Sequence, residues 1–154
     1  MISFKTHTLT QTQKLAQSFA GLLKKGDIVA LYGTLGVGKT AFSRFVIQSL
    51  CGASEEVPSP TFTLLQTYPT EQFDIFHFDL YRLKKADEVF ELGIEDAFYD
   101  GVSLIEWPEK MGSILPVNKM LKIDILIQDD MHIFNFTSQN LTWQERLNTW
   151  NIQI

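Results

Sequence analysis

The sequence predicts an α/β fold in three layers, with a largely parallel central sheet and a C-terminal antiparallel hairpin, and three features carry that prediction. Ile28 to Tyr32 is an apolar run without polar alternation, as expected of a parallel strand covered on both faces. A glycine-rich turn follows it, and then a helix-periodic segment from Thr40 to Leu50. Further strand and helix signals alternate downstream, the order that lays parallel strands beside one another through helical crossovers.

Size and charge bound the rest. The chain has 154 residues, 45% hydrophobic and 20% charged, enough for one sizeable core, so residues 1–154 are expected to form a single domain. No repeat, low-complexity stretch or linker divides it. Thirteen Lys and Arg against eighteen Asp and Glu leave a net charge of −5, which argues against the uniformly basic footprint of a free-standing nucleic-acid binder. The single cysteine, Cys51, excludes an internal disulfide or a multi-cysteine zinc site and suits a reducing compartment, where it reads as a small buried hydrophobe. The segment Met1 to His7 lacks a signal peptide's apolar run, and no stretch approaches the roughly 18 apolar residues of a membrane span. The expectation is a soluble, cytoplasmic chain with no membrane partner.

Element by element, Thr10 and Gln13 form a capping box before Leu15, Phe19, Leu22 and Leu23, which share one face of a helix ending near Gly26. Phe42, Phe45, Val46 and Leu50 recur at helical spacing before Gly52, placed to end that helix. The prolines of Val57-Pro58-Ser59-Pro60-Thr61 force an extended or turned loop, which leads into a strand near Phe62 to Tyr68. Phe73 to Phe78 is a further strand ending at Asp79, and a short helix around Ala86 to Leu92 stops at Gly93. Val102 to Ile105 is a strand ending at Glu106. Leu121 to Ile127 and Met131 to Phe136 flank Gln128-Asp129-Asp130, a hairpin turn, and Thr142 with Glu145 caps a final helix through Trp150.

The chemistry lies in Gly33-Thr34-Leu35-Gly36-Val37-Gly38-Lys39-Thr40, which matches G-x-x-x-x-G-K-[S/T]. Glycines at Gly33, Gly36 and Gly38 permit backbone conformations and close approaches that a β-carbon would block. Amides from Leu35 to Thr40, Val37 included, together with the positive end of the following helix, make an anion site shaped for phosphates. Lys39 is suited to the β- and γ-phosphates, and the hydroxyl of Thr40 is a hard oxygen ligand for Mg²⁺. Average residue frequencies produce the pattern by accident in roughly 0.5% of chains this long, and the strand before it and helix after it are the setting that confirms it. A P-loop NTPase-like fold binding ATP with magnesium is expected.

GTP is disfavoured, because no aspartate has a glycine three residues later, and Asn118-Lys119-Met120-Leu121 carries leucine where a guanine-reading aspartate belongs. A small-molecule kinase usually has an arginine-rich lid, but the arginines are Arg44, Arg82 and Arg146, which do not cluster. Magnesium needs a second anchor at the end of an apolar strand, and Asp79 and Glu106 both qualify. Sequence mechanics do not rank them: either could hold the ion's water shell while the other polarises the attacking water. A metal pair of His77 with Asp79 is weak, since His7 and His132 supply no spaced third ligand. Trp107 reads equally as a contact for nucleotide or partner and as packing. Arg82, Lys84 and Lys85 read more readily as solvated surface than as an RNA contact.

Taken together, the glycine-rich loop with Ala41-Phe42-Ser43-Arg44, Ser59-Pro60-Thr61-Phe62-Thr63-Leu64, His77-Phe78-Asp79-Leu80-Tyr81-Arg82, Glu91-Leu92-Gly93-Ile94 and Glu106-Trp107-Pro108 resemble the landmarks of the TsaE family, in that family's order. The resemblance covers most of the chain. It implies an ATPase component of the bacterial machinery that makes threonylcarbamoyladenosine in tRNA, with TsaD and TsaB as partners that carry out threonylcarbamoyl transfer to an adenosine beside the anticodon and hold most of the tRNA. It further implies that Thr40 and Glu106 bind the magnesium, that Asp79 is an essential acid near the γ-phosphate, that Thr61 lies on a mobile loop near the nucleotide, and that backbone near Leu9 and Thr10 meets the adenine. Independently, a hydroxyl in a proline-stiffened loop is suited to sensing a γ-phosphate. One departure stands out. The family commonly has a nucleotide-binding arginine near the hairpin turn, whereas this chain has Gln128-Asp129-Asp130-Met131-His132.

The expected activity is Mg-dependent ATP hydrolysis, weak alone and stimulated by partners, that drives turnover of the partner complex without chemistry of its own on tRNA. The rivals are a small-molecule kinase and a nucleotide-sensing regulatory module. The sequence leaves the oligomeric state open.

Overall fold

Residues Ile28–Tyr32 explain why the sheet sits in the middle of the molecule. Val29 and Leu31 point into one hydrophobic cluster and Ile28 and Ala30 into another, so the first four side chains of this strand leave water whichever way they face and only Tyr32 is half-buried. Burying each large side chain is worth roughly 1.5–3 kcal/mol. The computed structural model describes residues 1–152 and 154, and within them the strands are β1 (Ile2–Thr6), β2 (Ile28–Tyr32), β3 (Leu65–Pro69), β4 (Asp74–Asp79), β5 (Gly101–Glu106), β6 (Leu121–Gln128) and β7 (Met131–Ser138). The helices are α1 (Leu9–Ala20), α2 (Lys39–Cys51), α3 (Ile94–Asp100) and α4 (Leu141–Thr149), with 3-10 segments at Ala86–Phe90 and Pro108–Ile114.

The seven strands form one sheet in the order β1-β7-β6-β2-β5-β4-β3. β6, β2, β5 and β4 run parallel at its centre, and β3, β7 and β1 add antiparallel pairings at the two sides. One face carries α1, α2 and α4: Phe19 and Phe42 pack with Phe136 and Phe134 of β7, and Trp143 stacks on Phe19. The other is covered by α3 and the 3-10 segments through Ile94, Ala97, Met111 and Leu115. The three-layer arrangement, the parallel centre and the C-terminal hairpin agree with the sequence expectation. No helix is long and apolar enough to cross a membrane among the described residues.

Several boundaries differ, for local reasons. The first cap is Thr8, whose side chain accepts from the Gln11 amide at 3.1 Å, in place of Thr10 with Gln13, and α1 ends at Gly21 instead of Gly26. Asn140 caps α4 by accepting from the Trp143 amide at 3.1 Å, in place of Thr142. Phe62 to Leu64 do not belong to β3: the Leu64 amide donates back to Pro60 O and Leu64 adopts a left-handed φ of 68°, so this backbone closes a turn. Gly93, at φ 79°, closes one segment and also caps α3. Cys51 is only partly buried.

Candidate functional site

Side chains alternate along a strand, so His77 and Asp79 of β4 point to the same face as Glu106 of β5, and Asp79 lies in register beside Glu106. That face carries α2, whose first turn brings Thr40 to the same place. The Thr40 hydroxyl donates to Glu106 Oε1 at 2.7 Å. The two strand-end carboxylates and the hydroxyl thus meet at the mouth of a cleft of about 280 Å³, lined by Gly36, Lys39, Thr40, Thr61, Asp79 and Glu106. Leu35, Gly38, Ala41, Ser59 and Trp107 complete its lining.

The loop between β2 and α2 has the conformation its glycines permit. Gly36 and Gly38 take φ of 78° and 114°, angles at which a β-carbon is strained. A β-carbon on Gly33 would stand 2.5 Å from Val37 Cγ1 and 3.0 Å from the Ile125 carbonyl oxygen. Amides in the first turn of α2 have no acceptor within the helix, and with the helix dipole they favour an anion there. Lys39 is turned back on the loop. Its ammonium donates to Gly33 O and, at 3.1 Å, to Thr34 O, and lies 3.9 Å from the centre of the Trp107 ring. Burial pushes its pKa below the ordinary value, opposed by the charges of Glu106, Glu109 and Asp79.

Asp79 has both oxygens engaged. Oδ2 accepts from the Thr61 hydroxyl at 3.0 Å and Oδ1 from the Tyr81 amide at 3.0 Å. Thr61 is bonded in turn to Ser59 at 2.7 Å, so the proline-stiffened loop is joined to the acid through a single hydroxyl. Trp107 takes a left-handed φ of 58° immediately after Glu106 and packs on Tyr81 with ring centroids 5.0 Å apart. A non-glycine residue held there stores backbone strain, a feature that clusters at functional sites.

Of the residues singled out in the sequence, Leu35, Gly36, Gly38, Lys39, Thr40, Thr61, Asp79 and Glu106 are brought together in the cleft. Gly33 and Val37 line the adjoining apolar cavity with Leu35 and Trp107. Leu9 and Thr10 line neither and lie at the exposed start of α1. The pairing of Thr6 with His132, whose ring lies 3.8 Å from where a Gly38 β-carbon would stand, sets the chain entering α1 on the loop's side of the sheet. His132 is therefore a hairpin side chain beside the loop, and Leu126 and Ile127 line the adjoining cavity with that loop. His77 makes no metal pair with Asp79: its Nε2 is bonded to Glu106 Oε2 at 2.6 Å, a partnership that sequence reasoning missed. No cluster of three His, Cys, Asp or Glu side chains suited to a metal occurs among the described residues. The oxygen pair Thr40 and Glu106 nonetheless has the chemistry Mg²⁺ favours, because that ion takes few protein ligands and keeps phosphate oxygens and waters.

The family model described as Threonylcarbamoyl adenosine biosynthesis protein TsaE matches residues 6–133. The tRNA threonylcarbamoyladenosine biosynthesis protein TsaE of Rickettsia bellii is 45% identical over 130 residues, 84% of this chain and 90% of that protein. Its Bacillus subtilis namesake is 32% identical over 138 residues, 89% and 85% of the two chains. Among solved structures, the crystal structure of Bacillus subtilis YdiB superposes with a TM-score of 0.76 at 28% identity, covering 97% of this chain and 96% of that one.

Proposed function

The chain belongs to the TsaE family of threonylcarbamoyl adenosine biosynthesis proteins, and from that premise we propose that it is the Mg-dependent ATPase subunit of the tRNA threonylcarbamoyladenosine machinery, working with TsaD and TsaB in the cytoplasm. The observation that carries the proposal is the convergence of Thr40, Asp79 and Glu106 on one cleft beside the glycine-rich loop. ATP is the substrate, its phosphates seated against the loop and the first turn of α2. Lys39 exchanges the neutral carbonyl oxygens of Gly33 and Thr34 for anionic phosphate oxygens, so that both partners of the bond are charged. Thr40 and Glu106 hold magnesium, which when bound neutralises charge on the phosphates. Asp79, held by the Tyr81 amide, orients the attacking water. The Thr61 hydroxyl, now on Asp79, is free to turn to a γ-phosphate, so the Ser59–Thr61 loop reports whether that phosphate is present. The net charge of −5 fits a subunit whose partners hold most of the tRNA.

Phosphate release on mixing with purified TsaD, TsaB and tRNA tests this. Stimulated release that is absent from Lys39→Ala is expected. Transfer of the γ-phosphate to a labelled acceptor would make the protein a kinase, and binding without turnover would make it a sensor.

A further inference from the structure

The Glu106 carboxylate is 2% exposed, and its two oxygens face different surroundings. Oε1 accepts from Thr40 at the cleft, whereas Oε2 is turned inward to His77 Nε2 at 2.6 Å. His77 is fully buried, and its Nδ1 has no hydrogen-bond partner among the described residues. An ionised carboxylate only accepts hydrogen bonds, so the ring must carry a proton on Nε2 to make this contact. The second nitrogen then serves nothing else: in this strand the ring's one polar engagement is with Glu106. A leucine would fill the space, so packing alone does not call for a histidine here. Carboxylates that ligate metal ions are themselves hydrogen-bonded by groups behind them, and such a partner sets which lone pairs are offered forward.

We propose that His77 is a positioning residue, whose Nε2–H holds Glu106 Oε2 so that Oε1 is presented beside Thr40 for the divalent cation of the nucleotide. It acts through Glu106 and touches neither nucleotide nor metal. The proposal rests on the magnesium-nucleotide site described above, and its tests separate the two.

The first test needs no ligand. Nitrogen-15 NMR of the ligand-free protein should find the His77 ring protonated at Nε2; a ring protonated at Nδ1 alone would overturn the assignment. The second compares His77→Leu, which keeps bulk and removes the donor, with His77→Gln, whose amide can donate again. Affinity for ADP is measured in EDTA and in magnesium. His77→Leu should bind ADP within about twofold of wild type in EDTA yet lose roughly fivefold or more of the magnesium-dependent gain, and His77→Gln should recover most of it. An unchanged magnesium gain in His77→Leu, an equal loss with and without the ion, or no recovery in His77→Gln would each show that the ring merely fills space. If wild type gained nothing from magnesium, the nucleotide-site assignment would fail, and the NMR result would still decide the role of the ring toward Glu106.

Discussion

Lys39 brings an ammonium into a site where it is only 5% exposed, and burial lowers its pKa from the ordinary 10.5. The sign of the consequence follows. Between the lowered folded value and 10.5 the unfolded chain holds this proton more firmly than the folded one, so the residue's contribution to stability rises with pH across that window. Denaturation midpoints of wild type and Lys39→Met, taken from about pH 8 to 11, should therefore separate, with wild type gaining on the variant as pH increases. The same variant should bind nucleotide about 10- to 100-fold more weakly, the equivalent of a charge-assisted hydrogen bond of roughly 1.5–3 kcal/mol. The two acids should divide differently. Glu106→Ala is expected to weaken magnesium-dependent binding more than Asp79→Ala does, and Asp79→Ala to reduce turnover by about 100-fold with binding largely kept. Paired calorimetry and phosphate-release assays would check this, and the opposite ordering would exchange their roles. These residue types and their strand-end positions were legible in the sequence. The rotamer of Lys39 was not, because its carbonyl partners depend on the loop's three-dimensional turn.

At the scale of elements, the hairpin of β6 and β7 shows local chemistry setting geometry. Asp129 and Asp130 both take left-handed backbone angles, φ 52° and 61°, the pair that a two-residue hairpin turn requires and that matches the twist of its strands. Asp130→Gly removes a β-carbon from an unfavourable angle and should stabilise the fold by a few tenths to about 1 kcal/mol after the added freedom of the unfolded chain is offset. Chemical denaturation would read it, and a loss of stability would mean that the aspartate side chain itself holds the turn. Helical periodicity made α1 and α2 readable in advance, an unbroken apolar run did so for β2, and turn residues between two apolar runs for this hairpin. β1 and α3 were not read: β1 is five residues at a sheet edge and α3 seven, too short for a period to stand out. Caps were displaced by a few residues because several polar residues near each helix start could serve, and packing chooses among them.

For the whole molecule, α4 lies beyond residues 6–133 that match the family model, yet it is built into the fold. Trp143 and Leu147 enter the core beneath α1. Arg146 forks onto Asp27, its two terminal nitrogens 2.7 and 2.8 Å from the carboxylate oxygens, and also donates to Leu22 O at 2.8 Å. Its guanidinium lies 3.7 Å from the centre of the Trp143 ring. Asp27 immediately precedes β2, so this pair fastens the last helix to the strand that carries the glycine-rich loop. Asp27→Ala leaves a largely covered cation, 13% exposed, short of its partner and should cost about 3 kcal/mol in denaturant titration; a cost below roughly 1 kcal/mol would class the pair with exposed ion pairs. The sequence by itself determined the glycine-rich loop motif, the alternation of strand and helix and the two strand-end acids, since each is written in neighbouring residues or a short period. Only the tertiary structure decided that Asp79 and Glu106 stand side by side, that Thr40 meets Glu106 across 66 residues, and that His77 reaches Glu106 across 29. Those contacts follow from strand order and register, which long-range burial selects and no local pattern encodes.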